Sequence, residues 1–536
     1  MVLALGRTPC DDGVIEAGAA TQPCAERSKP WVLAATILGS SMAFIDATVI
    51  NVALPAIQSE LAVSVAAAQW VVNAYLLLLG SLILVGGTAG DRFGRRRIFE
   101  LGIVLFTLAS LACGLAPSPA ILIASRAFQG IGGAMLVPES LAIISAAFPE
   151  AERGKAIGTW AGFSALTTAL GPVLGGTLVD ALGWRAVFFI NLPLAVVALA
   201  IALRHVPESH GREADAAIDW QGGALVSLGL FGIAYSASAA GSARWSETIV
   251  YVPMLAGIGV LAFFLWWEAR ATSPIVPLAL FRSGAFSGAN AMTLLLYAGL
   301  SGALFFLPYD LIRLQSYSTA AAGASFLPFT LIMGGLSRWS GALVERIGAR
   351  PPLIVGPVVT ALGLALFALP GIGGSYWATF FPPMLVLGIG MTISVAPLTT
   401  VVMGAVDQHH AGTASGINNA VARIGGMLAV ALFGALAVGV FGRSVERSLN
   451  ALELAPALRA AVETQIPKLA EATVPPGIDA SLRQPLQAAL ELSFLRAFRV
   501  VMLAGSGLAV ASAVCAALTI PKTSHRGARP QRETAR

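Results

Sequence analysis

The sequence predicts an all-α polytopic membrane protein, and three observations support this: the composition, fourteen long apolar runs and a one-sided distribution of basic residues. Of 536 residues, 56% are hydrophobic and 11% are charged, and the mean hydropathy is +0.78. Soluble domains carry about 25% charged residues, so a soluble protein is excluded. The four cysteines lack a disulfide or zinc spacing, which excludes a secreted disulfide scaffold.

Each predicted span is a mostly apolar run of about 20 residues, the length that crosses a bilayer core as a helix. The fourteen runs lie near 31–56, 67–88, 98–116, 118–147, 156–180, 186–204, 221–240, 249–268, 285–308, 319–338, 352–371, 377–403, 411–441 and 494–519.

The Lys and Arg residues outside the spans predict the orientation. With both termini in the cytosol, the inner segments hold 21 of them and the six short outer loops hold three. An excess of basic residues on the cytosolic side is typical of membrane proteins, whereas long loops such as 443–493 cross regardless of charge. We therefore expect a multi-pass protein of the cytoplasmic (inner) membrane, N-in and C-in.

The segments outside the spans receive separate interpretations. Residues 1–30 lack the basic flank and long apolar region of a cleaved signal peptide and are expected to form a cytosolic leader. Residues 520–536 are expected to form a basic cytosolic tail. For the outer connection at 443–493, a lid, an amphipathic hairpin and a passive insertion all remain open.

One short loop motif occurs twice. It reads GTAGDRFGRRR from Gly87 and GALVERIGAR from Gly341, and five positions match at one constant offset. Both copies fall on predicted cytosolic loops, so two halves with the same polarity form a parallel repeat. Eight spans separate the copies, which predicts a 6+2+6 arrangement. Its parts are an N-terminal half at 31–205, a two-helix insertion with linkers at 206–284, and a C-terminal half at 285–519.

The twin loops predict a conformational latch between helices. Glycine permits close approach, an acid near a helix end is held by the helix dipole and by arginines, and basic residues anchor the turn to headgroups. A basic cluster that only sets topology is the alternative. The latch residues are Gly87, Asp91, Arg92, Gly94 and Arg95, with Glu345, Arg346 and Gly348 in the second copy.

Asp46 and Arg126 are charged residues inside predicted spans. Burying a charge in a membrane is costly, so such residues are functional candidates. At 1.5 Å per residue, Asp46 lies ~15 Å and Arg126 ~12 Å from the outer surface, so an ion pair across the first half is sterically reasonable. It would place a proton acceptor beside a competing cation, although a purely structural salt bridge is the alternative.

Two further charged residues lie in spans. Glu139 follows Pro138 and points away from Arg126, because the intervening helix leaves about 220° of rotation. It is either a second protonation site nearer the cytosol or a carboxyl that reaches loop arginines. Arg423 either lines a cavity in the second half or makes a helix-packing contact beside small residues.

Glycines around a proline predict a bend in the fifth span near the outer face. A kinked, narrow helix there would form a flexible seam between two rocking halves, and ordinary small-residue packing is the alternative. The residues concerned are Gly171, Pro172, Gly175 and Gly176.

Five motifs in this order resemble the major facilitator superfamily, specifically its fourteen-helix drug:proton antiporters. Besides the twin loop, they are FIDATVINVALP from Phe44, LIASRAFQGIGG from Leu122, GPVLGG from Gly171 and GWRAVFFINLP from Gly183. The chain departs from the family at Thr167, where a glycine is usual, and in the charged residues at 308–315.

The resemblance covers about 31–519. It implies the major facilitator fold, with 14 transmembrane helices arranged 6+2+6 about a pseudo-twofold axis, and export driven by the proton gradient. The residues expected to take part in proton coupling are Asp46, Arg126 and Glu139. The polar residues expected to line the cavity are Asn51, Gln129, Asn418, Asn419 and Arg423.

The residue inventory disfavours other functions. All five histidines, at 205, 210, 409, 410 and 525, lie in predicted loops, so no span offers a histidine base or metal ligand. A nucleotide-binding loop is also lacking. We therefore expect neither an enzyme nor an ATP-driven pump, and no cofactor, metal or nucleic acid.

The predicted partners are a small amphipathic substrate and the lipid bilayer. Spans ten to fourteen contain no Asp or Glu well inside the membrane, which favours monovalent cationic, zwitterionic or neutral substrates over dications. The protein is expected to work as a monomer, with or without a periplasmic adaptor. A dedicated exporter or importer of a metabolite, siderophore or lipid is the alternative function.

Overall fold

The computed structural model describes residues 28–210, 218–240, 246–406, 411–451, 456–475 and 480–521. Within these ranges the regular structure is helical, without strands. Most of the predicted leader and basic tail lies outside them, as do three of the five histidines and two of the four cysteines.

Nine helices form the first part of the chain. They are α1 Lys29–Glu60, α2 Val65–Phe93, α3 Arg95–Gly114, α4 Pro119–Ala147, α5 Glu150–Leu182, α6 Ala186–Phe189, α7 Asn191–His205, α8 Trp220–Ala239 and α9 Thr248–Glu268.

Nine more helices follow in the described ranges. They are α10 Gly284–Tyr309, α11 Thr319–Ala324, α12 Leu327–Ile347, α13 Arg350–Leu366, α14 Tyr376–Thr379, α15 Phe381–Gly404, α16 Ala411–Ala451, α17 Pro456–Glu463 and α18 Ala480–Thr519. Short 3-10 turns cover Leu278–Arg282 and Ile466–Glu471, and a π-helical turn covers Asp310–Leu314.

Every predicted span falls on a helix or on a pair of consecutive helices. In the described part of the chain, 13 helical segments are long and apolar enough to cross a membrane. The eleventh predicted span coincides with α13, which has 17 residues. The prediction of a helical multi-pass protein is thus confirmed, while the count of fourteen stays a prediction.

Several helices extend beyond the predicted spans. Helix α16 continues to Ala451 and α18 begins at Ala480, so the predicted outer connection at 443–493 is largely helical. Helix elongation adds one backbone hydrogen bond per residue and does not stop where the sequence turns polar. For the same reason His205 is the last residue of α7, although it was expected in a loop.

The same packing scheme occurs twice. In the first half α4 packs against α2 and α3, and α1 packs against α5 and α7. In the second half α15 packs against α12 and α13, and α10 packs against α16 and α18. Across the middle, α2 contacts α16 and α5 contacts α11, while α8 and α9 pack together beside α2 and α16.

The helices alternate in direction, which gives the bundle two ends. We call them the Glu60 end and the Asp91 end after the residues that lie there. The 3-10 turn Ile466–Glu471 contacts both halves at the Glu60 end, since Gln58 Nε2 donates to the carbonyl of Lys468 at 2.9 Å and Arg313 pairs with Glu471. Burial raises the pKa of Glu471, and the hydrogen bond from Arg313 opposes this shift.

Candidate functional site

A buried ion pair joins α1 and α4 within the first half. Arg126 Nη1 lies 2.5 Å from Asp46 Oδ2, and the two side chains are 0% and 1% exposed. The structure therefore brings together the two charges for which the sequence predicts a common depth. A buried pair of this kind is costly to break, because removing one partner leaves the other charge uncompensated.

Gln129, one turn along α4 from Arg126, links both members of the pair. Its Nε2 donates to Asp46 Oδ1 at 2.8 Å, and its Oε1 accepts from Arg126 Nη1 at 2.7 Å. Arg126 Nε donates to the carbonyl of Val71 at 2.9 Å, and the Tyr75 ring lies 4.4 Å from the guanidinium carbon. Both carboxylate oxygens are thus hydrogen bonded, which offsets the cost of burying the charge.

A central cavity lies beside this cluster, between the two halves. Its volume is about 500 Å³, and its walls come from α1, α2 and α4 on one side and α10, α15 and α16 on the other. Arg126 is one of the lining residues, and within the described ranges its Nη2 has no hydrogen-bond partner. One guanidinium therefore binds Asp46 and also borders the space that a ligand would enter.

The cavity opens toward the Asp91 end of the bundle. Thr399 and Met403, in the last turns of α15, line the cavity and are exposed. Asn419, near the start of α16, is a third exposed lining residue on the same side. A ligand can therefore reach the interior from this end.

The Glu60 end is closed by contacts between the halves. Asp180, near the end of α5, accepts hydrogen bonds from the backbone N–H groups of Thr319 at 3.2 Å and Ala320 at 2.8 Å. These groups begin α11 in the other half, where a carboxylate satisfies unpaired N–H groups and meets the positive end of the helix dipole.

The glycine motif of α5 lies at this closed end. A Cβ on Gly171 or Gly175 would overlap side-chain atoms of α1, and one on Gly176 would overlap the carbonyl of Thr319. These glycines therefore permit close contact both inside the first half and between the halves. Pro172 lies inside the continuous helix α5, and bending at this proline stays a prediction.

The latch loop at the Asp91 end is held by a side-chain network. Asp91 Oδ1 accepts two hydrogen bonds from Arg95, from Nε at 2.8 Å and from Nη2 at 2.7 Å. Arg95 Nη1 also donates to the carbonyl of Ala142 on α4 at 3.3 Å. Arg92 lies over the ring of Phe93. The loop thus connects α2, α3 and α4.

Both copies of the loop place a glycine in the left-handed region of backbone conformation. Gly94 has φ +106° and Gly348 has φ +77°, a range that L side chains rarely adopt. A Cβ on Gly94 would also contact the carboxylate of Glu208, at 2.6 Å from its carbon. Arg346 is exposed in the last turn of α12, and the side chain of Glu345 lies outside the described part of the structure.

The sequence predicts a close approach of helices at Gly87, but the structure places it one residue earlier, at Gly86. A Cβ on Gly87 would make only an ordinary contact, 3.5 Å from the Cβ of Pro138. A Cβ on Gly86 would overlap the backbone carbonyl of Ala134. The contact between α2 and α4 therefore depends on Gly86, which lies on the face of α2 that meets α4.

Glu139 lies beside the latch and is completely buried. Neither of its carboxylate oxygens has a hydrogen-bond partner among the described residues. The charged groups near it are those of Asp91, Arg95 and Glu208. Arg95 hydrogen-bonds other groups instead, so the predicted contact between Glu139 and a loop arginine is not formed by this residue.

The structure places four of the five predicted lining residues on the cavity wall: Asn51, Asn418, Asn419 and Arg423. The fifth, Gln129, is fully buried in the cluster around Asp46. Asn418 Nδ2 donates to Thr293 Oγ1 at 2.6 Å, which ties α16 to α10.

Sequence reasoning missed two residues near the cavity and its closed end. Tyr297 of α10 lines the cavity, and only an aromatic residue inside an apolar run signals it in the sequence. Asp310, one of the charged residues noted at 308–315, is 1% exposed. It begins the π-helical turn Asp310–Leu314, which extends the helix.

Comparisons with known proteins agree with this geometry. The family model of the Major Facilitator Superfamily matches residues 36–430. Multidrug resistance protein Stp of Mycobacterium tuberculosis is 36% identical over 425 residues, which is 79% of each chain. The tetracenomycin C resistance and export protein of Streptomyces glaucescens is 34% identical over 416 residues, 76% of each chain.

Solved structures show the same fold. A bacterial homologue of the human lysosomal transporter Spinster, in an inward-facing conformation, superposes with a TM-score of 0.63. The match covers 92% of this chain and 98% of the homologue at 20% sequence identity.

Proposed function

Because the chain belongs to the major facilitator superfamily, we propose that it is a proton-coupled secondary transporter that exports amphipathic drugs or toxic organic compounds by alternating access. The predicted superfamily and its helical membrane fold are confirmed by the family match and the relatives. Relatives named for multidrug resistance and for tetracenomycin C export support the proposed direction. The proton gradient supplies the energy, without a bound cofactor.

The observation that carries the proposal is the double role of Arg126. Its guanidinium binds the carboxylate of Asp46 and also borders the cavity. When Asp46 takes up a proton, the electrostatic attraction between the pair is lost and Arg126 becomes free to reorient toward the cavity. Protonation of one carboxyl therefore changes the surface that the substrate meets, which is the basis of coupling.

Alternating access follows from the arrangement of the halves. We assign the halves to residues 31–205 and 285–519, with the insertion at 206–284. The repeated packing scheme supports this division, because corresponding helices make corresponding contacts. The halves touch at the Glu60 end and the cavity between them opens at the Asp91 end, so rocking one half against the other would move the opening.

We also propose an orientation in the membrane, a second proton site and an oligomeric state. With both termini in the cytosol, the open end of the cavity faces the cytosol, as an exporter that loads substrate there requires. Glu139, buried without a hydrogen-bond partner in the described ranges, is assigned as a second proton site nearer that end. We propose a functional monomer in the cytoplasmic membrane.

The test is gradient-driven transport by the full-length protein in liposomes. A panel of fluorescent amphipathic dyes is presented on the cytoplasmic side, and an imposed pH gradient is expected to drive their transport to the other side. Asp46→Asn should abolish the response to the gradient, because the amide cannot exchange a proton. The matched control is Glu100→Gln, which removes a carboxylate paired with Arg96 and leaves the cavity untouched. Coupled transport that is unchanged in Asp46→Asn would refute the coupling role.

A second candidate is a dedicated exporter of one metabolite. It is favoured by the relative named for resistance to and export of a single compound, tetracenomycin C. The dye panel separates the two candidates. Transport of several unrelated dyes supports a multidrug exporter. If the folded protein transports none of them, a dedicated exporter of one compound is supported.

A further inference from the structure

Arg423 projects from α16 into the wall of the central cavity. A Cβ added to Gly80 of α2 would lie 3.3 Å from the Cβ of Arg423, so α2 and α16 approach closely at the base of the arginine side chain. Its Nε is buried and has no hydrogen-bond partner in the described part of the chain. The stem of Arg423 therefore packs between the helices, while no hydrogen bond holds its guanidinium to the described residues.

The charges on the cavity wall are unbalanced. Two guanidinium groups line the cavity, those of Arg126 and Arg423, and the described lining residues include no carboxylate. Arg126 is neutralised by Asp46 just behind the wall. The ionisable groups close to Arg423 are the hydroxyls of Tyr75 and Tyr297, which are neutral in their ordinary state.

The buried Nε of Arg423 carries a desolvation cost that no hydrogen bond from the described residues offsets, and a bound anion would offset it. Arginine is well suited to this, because its planar donors match the geometry of a carboxylate or related oxyanion. The structure thus supplies a fixed positive charge that lacks its counter-charge.

The rest of the wall matches an amphipathic molecule. Leu300, Phe305 and Tyr297 of α10 give an apolar and aromatic surface, and Asn418 and Asn419 of α16 add side-chain amides to the wall. Ligand cavities commonly combine such apolar walls with a few convergent polar groups.

We propose that Arg423 binds the negative charge of the transported compound, and that the preferred substrates are amphipathic organic anions carrying a carboxylate, sulfonate or phenolate on an apolar ring system. This inference rests on the proposed function and names its substrate class. It replaces the expectation of cationic, zwitterionic or neutral substrates. That expectation was based on the acidic residues of the spans and did not consider the arginines that line the cavity.

The test is dye binding to the purified full-length protein in phosphatidylcholine nanodiscs at neutral pH, measured by fluorescence anisotropy. Fluorescein and rhodamine 123 share a xanthene ring system, but the first is an anion and the second a cation. Fluorescein should bind about tenfold or more tightly than rhodamine 123, as expected for charge-assisted hydrogen bonds. Equal binding, preference for the cation, or binding of neither dye would overturn the proposal.

Substitutions of Arg423 test whether this residue causes the preference for the anionic dye. Arg423→Gln should lower fluorescein affinity about tenfold without weakening rhodamine 123 binding, whereas Arg423→Lys should retain most of the preference. Arg443→Gln is the matched control, because Arg443 lies exposed on the same helix away from the cavity. A similar loss of both dyes in Arg423→Gln would contradict the proposal.

A second variant keeps the test valid if Arg423→Gln fails to fold. Asn419→Asp places a carboxylate four residues from Arg423 on α16, within reach of an ion pair. It should weaken fluorescein binding and not rhodamine 123 binding, and the opposite result would contradict the proposal. Binding requires no gradient, so charge preference and gradient-driven export can fail separately.

Discussion

At the scale of single residues, the site depends on one amide. Gln129 donates to Asp46 and accepts from Arg126, so it fixes the distance between the two charges. An amide is the side chain that can do both at once, since it carries a donor and an acceptor on one rigid group. The geometry of the buried cluster is therefore shared among three side chains.

Gln129→Ala is expected to destabilise the protein by about 1–3 kcal/mol, because it leaves a buried carboxylate oxygen without a donor. The measurement is the thermal unfolding midpoint of the purified protein in detergent. Asn51→Ala is the control, since Asn51 lines the cavity and makes only a 3.4 Å contact with the carbonyl of Ala47. Equal shifts in the two variants would show that the cluster does not hold the site.

The sequence could predict part of this cluster. The rise per residue of a helix gives the depths of Asp46 and Arg126 in the membrane, and these depths are similar enough to predict that the two charges meet. The contact of Gln129 could not be derived in the same way, because it depends on the rotation of α4 relative to α1. Asp310 shows the same limit, since it is buried at the start of a π-helical turn that no pattern in the sequence marks.

At the scale of helices, hydropathy predicts where a helix exists better than where it ends. An apolar run marks the part of a helix that lies in lipid, while the backbone continues as long as hydrogen bonds can be added. Helices α16 and α18 therefore project beyond their predicted spans, at the Glu60 end. The face on which a helix packs is likewise set by its neighbours, as the difference between Gly86 and Gly87 shows.

Gly86→Ala is expected to destabilise the first half by about 1–3 kcal/mol, because the added methyl group has to displace the backbone of α4. Gly87→Ala on the next residue should change stability by much less, since its methyl group enters an ordinary contact. Thermal unfolding and the yield of folded protein from the membrane measure both variants. A larger loss for Gly87→Ala would reverse the assigned packing of α2.

At the scale of the whole molecule, two halves form one interface that is closed at the Glu60 end and open at the Asp91 end. The closing contacts include small residues and a few polar bonds, such as those of Asp180 with α11. Each polar bond that crosses between the halves favours the closed state by a modest amount, beside a buried apolar cluster that holds residues of both halves. The equilibrium between the two openings should therefore respond to single side chains in this region.

Asp180→Ala should shift the population toward the state that is open at the Glu60 end. It removes two hydrogen bonds that cross between the halves, each worth about 1 kcal/mol, so the population ratio should change about tenfold or more. Spin labels at the exposed positions Leu182 and Trp377, on opposite halves, would report a longer distance by pulsed electron resonance. Asp219→Ala is the matched control, because Asp219 caps α8 through Gly222 without joining the halves. If Asp180→Ala leaves the distance distribution as unchanged as the control does, Asp180 is a local cap only.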